Sequence, residues 1–306
     1  MPTNLKNKDI ISIKELTKSD ILNILEKAQK LKQKQQPKLL SGYVLGSCFF
    51  EPSTRTRLSF ETAMKKLGGN VIGFADPSIT STKKGESLYD SIKIIGQYVD
   101  VIAMRHPLEG SARRAAEATN KPIINGGDGA NQHPTQTLLD LFTIKECQEK
   151  IEGLKIAIVG DLKYGRTTHS LAQALINFNA RLYFVAPESL QMPEHICNEL
   201  KTKKIIFSKH KNIEEIINEV DILYMTRIQG ERFPDPMEYE RIKNVYILKE
   251  SMLNNVKKNM RILHPLPRVN EITADVDNTK HAYYFEQAEN GLYIRQALLA
   301  LTLGKL

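Results

Sequence analysis

Four consecutive residues, Ser53, Thr54, Arg55 and Thr56, open a segment of helical periodicity directly after a short apolar run. A helix that begins here presents its first backbone N–H groups and the positive end of its dipole to an anion. The hydroxyls add donors, and the guanidinium adds two parallel N–H groups that match phosphate oxygens. The pattern predicts a phosphate-binding site. An ordinary helix cap is the alternative, but a cap needs only one of these hydroxyls.

His133 and Gln136 form a second candidate. They are three residues apart at the start of a helical segment that opens with Pro134, so their side chains face the same direction. Both can donate a hydrogen bond to a carbonyl or an amide. A lone histidine is more often a structural residue, which is the alternative here. The preceding NGGDGANQ favours a functional site, because so glycine-rich a loop contributes little to packing.

Further cationic and amide side chains follow other apolar runs. They are Arg105, Arg166, Arg227, Gln229 and the segment HPLPR at 264–268. No carboxylate pair, Ser-His-Asp arrangement or HExxH motif accompanies them. Such a set is suited to binding anions and performs little acid–base chemistry of its own.

The segment Gly160–Thr167 nearly matches the phosphate-binding loop GxxxxGK[ST]. Arg166 stands where that motif has lysine, and further glycines that would let the backbone wrap a triphosphate are missing. Nucleotide binding is therefore the second hypothesis. By its spacing alone, the pair Lys83–Lys84 is a solvated charge pair in a loop.

The elements that position these residues are short apolar runs alternating with helical segments. Runs rich in Val and Ile without strict alternation are typical of strands buried on both faces. The runs are 43–50, 71–75, 99–104, 122–125, 154–160, 181–186, 221–226 and 261–265. Alternation of strand and helix predicts an α/β fold with parallel sheets, whose ligands bind at the carboxyl ends of the strands.

The runs fall into two groups, which predicts two α/β domains, each a mainly parallel sheet flanked by helices. We expect the first domain over residues 1–132, a linking helix over 133–150 and the second domain over 151–285. Residues 286–306 are strongly apolar and predict a helix that packs back on the first domain.

Composition excludes several classes of protein. The 306 residues carry a net charge of +8, but the lysines are scattered, without the aromatic interleaving of nucleic-acid-binding proteins. No apolar run approaches a membrane span, and the first residues lack the apolar core of a signal peptide. Three isolated cysteines predict neither a disulfide framework nor a metal site. We expect a cytoplasmic protein without cofactor, metal, membrane or nucleic-acid partner.

Seven motifs together resemble the catalytic chains of the aspartate carbamoyltransferase family. They occur in register along essentially the whole chain: PSTRTR (52–57), TKKGESL (82–88), MRHP (104–107), DGANQHPTQTLLDL (128–141), GDLKYGRTTHSL (160–171), YMTRIQ (224–229) and HPLPR (264–268). The resemblance implies transfer of a carbamoyl group from carbamoyl phosphate to the α-amine of L-aspartate, in the de novo biosynthesis of pyrimidines (UMP).

The resemblance also implies a role for each matching residue. The first half would bind carbamoyl phosphate through Ser53, Thr54, Arg55, Thr56, Arg105, His133 and Gln136, with the backbone of Leu266 and Pro267 at the carbamoyl amino group. Catalytic roles would fall on Arg55, Thr56, Arg105 and His133. L-Aspartate would be held by Lys84, Arg166, Arg227 and Gln229. Ser81 and Lys84 would act in the site of an adjacent subunit, in an obligatory homotrimer.

Ornithine carbamoyltransferases are the nearest alternative, and they carry HCLP where this chain reads HPLP at 264–267. They bind a cationic side chain, for which Arg166 and Arg227 are unsuited, so aspartate is preferred. A non-catalytic scaffold is a further alternative, which loss of His133 or of a phosphate-binding arginine would have indicated. In 105–117, Glu109, Arg113 and Glu117 are expected on an exposed helix face. We favour a separate zinc-containing regulatory chain there over a merely solvated surface.

Overall fold

The computed structural model describes residues 4–230, 233 and 236–306. The chain folds into two compact units. Unit 1 comprises Met1–Leu139 together with Glu289–Leu306, and unit 2 comprises Asp140–Ala288. Each unit contains one parallel sheet with helices along its connections, which confirms the predicted fold class.

The strands and the longer helices alternate along the described residues, except that the strands at 207–210 and 222–225 have only a 3-10 helix between them. The strands are β1 (Val44–Phe49), β2 (Asn70–Phe74), β3 (Val101–His106), β4 (Ile123–Asp128), β5 (Lys155–Val159), β6 (Arg181–Val185), β7 (Phe207–His210), β8 (Ile222–Met225) and β9 (Arg261–Leu263). The helices are α1 (Lys18–Gln33), α2 (Thr54–Lys66), α3 (Leu88–Ile95), α4 (Ser111–Ala118), α5 (Pro134–Gln148), α6 (Arg166–Leu175), α7 (Glu194–Thr202), α8 (Pro236–Ile242) and α9 (Tyr284–Thr302).

The sheet of unit 1 has the strand order β2-β1-β3-β4, with every neighbouring pair parallel. Its central strands are buried because helices cover a sheet of this kind on both faces. Cys48, Ile102 and Met104 on those strands pack with Ala112 and Ala115 of α4 in one apolar core. The edge strand β2 differs, since most of its residues are partly or fully exposed.

The sheet of unit 2 has the order β7-β6-β5-β8-β9 and is also parallel throughout. Residues 156–159 of the central strand β5 are completely buried. No apolar run predicts the edge strand β7. Its residues Phe207–His210 are only partly buried and follow the lysine-rich KTKK, so they carry no long apolar run that would mark a strand.

The helices begin and end close to the predicted positions. Helix α2 ends before Gly68, whose φ of +87° favours glycine. The linking helix predicted over 133–150 is α5 (Pro134–Gln148). Within unit 1, the Asn7 N–H donates to the carbonyl of Thr302 at 2.8 Å, which ties the end of α9 to the first residues. No helix of the described residues is long and apolar enough to cross a membrane.

A buried polar network connects three elements inside unit 2. The Tyr224 hydroxyl on β8 donates to Asp140 Oδ2 at 2.9 Å, and Gln287 Nε2 donates to Asp140 Oδ1 at 2.6 Å. Tyr224 and Asp140 have no exposed surface, and burial raises the pKa of Tyr224 well above its ordinary value. The carboxylate therefore depends on these donors in place of water.

We expect Tyr224→Phe to lower the free energy of unfolding by about 1–3 kcal/mol, because Asp140 loses a buried donor while the ring volume is kept. Urea unfolding measures this change. Tyr183→Phe is the matched control, on strand β6 of the same sheet. Its hydroxyl contacts Glu219 at 3.4 Å, and that carboxylate is 58% exposed, so we expect a change below about 0.5 kcal/mol. Equal losses in the two variants would contradict the role of the network.

Candidate active site

The predicted phosphate-binding residues of unit 1 lie where β1 ends and α2 begins. Ser53 occupies the N-cap position with extended backbone, but its hydroxyl makes no capping hydrogen bond. The first turn of α2 contains no acidic residue, so no side-chain carboxylate there neutralises the positive end of the helix dipole. Thr54 and Arg55 are exposed, and Thr56 is buried. The start of α2 therefore stays the predicted site for an anion.

The two arginines of this helix start have different surroundings. Arg57 donates to Glu61 at 3.3 Å, and Ser47 donates to the same carboxylate oxygen at 3.0 Å, so Arg57 forms part of the contact between α2 and β1. Although Arg55 is exposed, partial desolvation lowers the pKa of its guanidinium, and the nearby charge of Arg105 lowers it further. A bound anion would oppose both effects.

Arg105 ends the neighbouring strand β3. Its Nε and Nη2 atoms both donate to Glu51 Oε1, at 3.1 and 2.5 Å. Glu51 follows β1, and Phe49 and Arg105 are register partners in the sheet. The ion pair therefore holds the guanidinium at the carboxyl ends of β1 and β3. Glu51 was not among the predicted site residues, because no sequence pattern connects it to Arg105.

His133 and Gln136 stand at the start of α5, after the next strand, β4. The Gln136 N–H donates to His133 Nδ1 at 3.3 Å, so the ring itself caps the helix. With Nδ1 accepting, the proton of the neutral ring lies on Nε2, which is the tautomer that donates to a carbonyl. Both side chains are buried.

The segment before His133 is more ordered than its glycine content suggests. Two of its three glycines belong to strand β4, and its buried Asp128 accepts hydrogen bonds from Asn125 at 2.8 Å, from the Gln132 N–H at 3.2 Å and from the Gly110 N–H at 2.9 Å. The expectation that this stretch serves no packing is wrong. Asp128 holds the connection from β4 to α5 and thereby positions His133.

In unit 2 the predicted aspartate-binding residues follow adjacent strands. Arg166 begins α6 after β5, Arg227 and Gln229 follow β8, and the 264–268 segment follows β9. The side chains of Arg166, Arg227 and Gln229 are half-buried. Two guanidinium groups at neighbouring strand ends are suited to a ligand with two carboxylates.

The buried carboxylate of Asp161 organises this edge of unit 2. Oδ1 accepts from the Tyr164 N–H at 2.9 Å, and Oδ2 accepts from the Gln229 N–H at 3.4 Å. The side chain of Asp161 thus links the connection after β5 to the segment after β8. Asp161 lies within the motif GDLKYGRTTHSL but was not among the predicted site residues.

The HPLPR segment has an unusual backbone. Leu266 adopts a left-handed conformation with φ of +56°, and the Leu266–Pro267 peptide bond is cis. A leucine at positive φ is sterically disfavoured and persists only where its surroundings hold it. Its N–H donates to His264 Nδ1 at 2.8 Å.

Ser81 and Lys84 lie apart from the other predicted residues of unit 1. They form the short 3-10 helix Ser81–Lys84 in the connection between the edge strand β2 and α3, and both side chains are exposed. Among the described residues, no group of three His, Cys, Asp or Glu side chains could hold a metal ion.

The exposed surface predicted at 105–117 is largely present. Arg113 and Glu117 are exposed on α4, whereas Glu109 precedes that helix and is exposed in the connecting loop. Arg113 forms an ion pair with Glu15. Leu108 beside them is 66% exposed.

Family models match both halves of the chain. The carbamoyl-phosphate binding domain of aspartate/ornithine carbamoyltransferases matches residues 8–146, and the aspartate/ornithine binding domain of the same enzymes matches residues 152–302. Among curated relatives, the aspartate carbamoyltransferase catalytic subunit of Chromobacterium violaceum is 58% identical over 97% of this chain and 98% of its own. That of Photobacterium profundum is 59% identical over 100% of this chain and 99% of its own.

Solved structures also resemble the chain over nearly its whole length. The catalytic subunit of M. jannaschii aspartate transcarbamoylase matches with a TM-score of 0.90 and 51% identity, over 97% of this chain and 98% of its own. Aspartate transcarbamoylase from Trypanosoma cruzi, in complex with carbamoyl aspartate and phosphate, matches with a TM-score of 0.93 and 36% identity, over 99% of this chain and 98% of its own. The chain therefore belongs to the aspartate/ornithine carbamoyltransferase family, among its aspartate carbamoyltransferase catalytic chains, and is a carbamoyl-group transferase.

Proposed function

We propose that the chain transfers the carbamoyl group of carbamoyl phosphate to the α-amine of L-aspartate, forming N-carbamoyl-L-aspartate and phosphate in the de novo pyrimidine (UMP) pathway. The observation that carries this proposal is the distribution of donors over the strand ends. Unit 1 offers a helix start with guanidinium groups for a phosphate, and unit 2 offers two guanidinium groups for a dicarboxylate.

The phosphate of carbamoyl phosphate is assigned to the start of α2. Backbone N–H groups and the hydroxyls of Ser53, Thr54 and Thr56 supply neutral donors, and Arg55 and Arg105 supply charge. The lowered pKa of Arg55 supports this assignment, because a dianion would relieve the repulsion between the two arginines.

The carbamoyl group is assigned to His133, Gln136 and the backbone at Leu266 and Pro267. The Nε2 proton of His133 would polarise the carbonyl oxygen. Attack by the amine places a negative charge on that oxygen, which His133, Thr56 and Arg105 would stabilise. Backbone carbonyls at 266–267 would accept from the carbamoyl amino group.

L-Aspartate is assigned to Arg166, Arg227, Gln229 and Lys84. Its two carboxylates need cationic partners, and its amine must be deprotonated to attack. The departing phosphate can accept the amine proton, which fits the absence of a carboxylate base among the predicted residues. Holding both substrates in reactive geometry contributes several kcal/mol, up to ~7–11 kcal/mol, to lowering the barrier.

We propose a homotrimer in which Ser81 and Lys84 complete the site of an adjacent subunit. Both residues lie on an exposed 3-10 helix beyond the edge strand β2. The surrounding stretch 58–98 also exposes five large apolar side chains, each between 45% and 76%: Leu58, Ile72, Ile79, Ile94 and Tyr98. Exposed apolar residues of this number beside an unpaired strand edge are typical of a protein interface.

The exposed surface around Leu108, Arg113 and Glu117 is proposed to contact a separate regulatory chain that carries zinc, since an exposed leucine among charges suits a partner. We further propose a cytoplasmic location, in keeping with the three free cysteines, of which Cys48 and Cys197 are buried.

We expect the protein to form carbamoyl-aspartate from carbamoyl phosphate and aspartate, with no product from ornithine. Arg55→Ala should lower kcat by about 10²–10³-fold, because a charged donor to the phosphate and the developing oxyanion is lost. Arg114→Ala is the control, since that side chain is 60% exposed and pairs with Glu117 on the surface. Product from ornithine would contradict the assignment of unit 2.

Arg227→Ala should raise KM for aspartate by about 10²-fold, on the order of 2–3 kcal/mol, because a half-buried ion pair to a carboxylate is lost. KM for carbamoyl phosphate should change much less. Arg181→Ala, exposed at the opposite end of the same sheet, is the matched control. An equal rise in both KM values would argue against a specific contact with aspartate.

Mixing Lys84→Ala chains with Arg55→Ala chains should restore activity that neither variant has alone. In a closed trimer with shared sites, random reassembly leaves about a quarter of the sites with both residues intact. Activity is measured after dissociation and reassembly of the mixture. If Lys84 acts within its own chain, no intact site can form and the mixture stays inactive.

A further inference from the structure

The segment after strand β9 has a backbone conformation that depends on the residues around it. Leu266 has a positive φ, and the segment 264–271 returns to the body of unit 2 within a few residues. His264 and Glu271 lie at its two ends, and their side chains are only 1% and 5% exposed. His264 Nε2 and Glu271 Oε1 are 2.7 Å apart.

The direction of each hydrogen bond in this segment follows from its donors. The Leu266 N–H donates to His264 Nδ1 at 2.8 Å, so the ring proton lies on Nε2 and is donated to Glu271 Oε1. The other carboxylate oxygen, Oε2, accepts from the N–H groups of Val269 at 3.0 Å and Asn270 at 3.1 Å. The Glu271 carboxylate thus connects His264, at the start of the segment, with the backbone near its end.

Only an ionised carboxylate satisfies this set of donors. Burial raises the pKa of Glu271, but the hydrogen bonds from His264 and the backbone outweigh burial and leave the pKa below its ordinary value. Glutamine would offer one acceptor oxygen and one NH₂ group. In one orientation its NH₂ group would face the Nε2 proton of His264, and in the other it would face the two backbone N–H groups. Two donors would therefore oppose each other in either case. In the other tautomer of His264, the ring proton would lie on Nδ1 and would face the Leu266 N–H.

His264 is also held from the interior of unit 2. Its N–H donates to Gln287 Oε1 at 2.7 Å, and Gln287 donates in turn to Asp140. His264 is therefore connected to the same buried network that includes Tyr224 on β8. The backbone at 266–267 can shift only if these bonds break.

We propose that Glu271 is a positioning residue, which acts through His264 to hold the backbone oxygens at Leu266 and Pro267 for the carbamoyl amino group. This inference rests on the proposed function. The carboxylate does not touch the substrate. Its contribution is to keep the segment in a conformation that a leucine does not adopt unaided.

Such a role predicts a selective defect. Carbamoyl phosphate has the amino group that the 266–267 backbone would recognise, and inorganic phosphate lacks it. A displaced segment should therefore weaken binding of carbamoyl phosphate and leave phosphate binding, which depends on Arg55 and Arg105, unaltered. A general loss of folding would weaken both.

The test measures KM for carbamoyl phosphate and Ki for inorganic phosphate in Glu271→Gln. We expect KM to rise about tenfold, equivalent to 1.4 kcal/mol, while Ki stays within about twofold of the wild-type value. Glu215→Gln is the matched control, because Glu215 pairs with His210 Nδ1 at 2.9 Å and accepts from the Asn212 N–H at 3.0 Å on the surface of unit 2. It should leave both constants unchanged.

His264→Asn provides a second, independent variant. An asparagine oxygen can accept from the Leu266 N–H in place of Nδ1, whereas the bond to Glu271 is lost. We expect the same selective rise in KM, and a double variant no worse than either single one, since both changes interrupt one unit. If Glu271→Gln does not fold, the ratio of KM to Ki in His264→Asn decides the question.

An unchanged ratio of KM to Ki, or equal weakening of both ligands, would overturn the positioning role. Wild-type turnover is a separate readout. A wild-type protein that forms no carbamoyl-aspartate would refute the proposed function, whereas an active wild type with an unselective variant would refute only the role of Glu271.

Discussion

Every strand in both sheets runs parallel to its neighbours, so all connections that leave the strands' carboxyl ends emerge along one edge of each sheet. In unit 1, three adjacent strands deliver the start of α2, Arg105 and the start of α5 to that edge. In unit 2, β5, β8 and β9 do the same for Arg166, Arg227 and the 264–268 segment. The chemistry of the chain depends on this constraint, because residues far apart in sequence meet only through the common direction of the strands.

Carboxylates and cations have separate tasks at these edges. The predicted anion-binding groups are cationic side chains and helix starts, whereas Asp128, Asp161 and Glu271 are buried and accept from backbone N–H groups. Each of these carboxylates shapes a connection that carries a predicted site residue. Hydrogen bonds from several donors stabilise a buried carboxylate in place of water. We therefore assign these three acids a structural role in the connections and not a role as general bases.

Much of the fold could be predicted from the sequence. Apolar runs located eight of the nine described strands, and Pro134 located the start of α5. These features are local, since a strand buried on both faces must be apolar and a helix must be capped within a turn. Strand β7 was not predicted, because an edge strand needs little apolar surface. Glu109 was predicted on a helix that begins two residues later.

Residue identities alone establish which side chains follow each strand, and hence the class of ligand, because charge and donor type are properties of single residues. Seven motifs in register likewise indicate the family. How those side chains are held depends on the three-dimensional packing. The pairing of Arg105 with Glu51, the tautomer of His133 and the closure of 264–271 by Glu271 all depend on donors and acceptors brought within about 3 Å by folding. No spacing along the chain encodes such contacts, since hydrogen-bond geometry is fixed by the packing of whole elements.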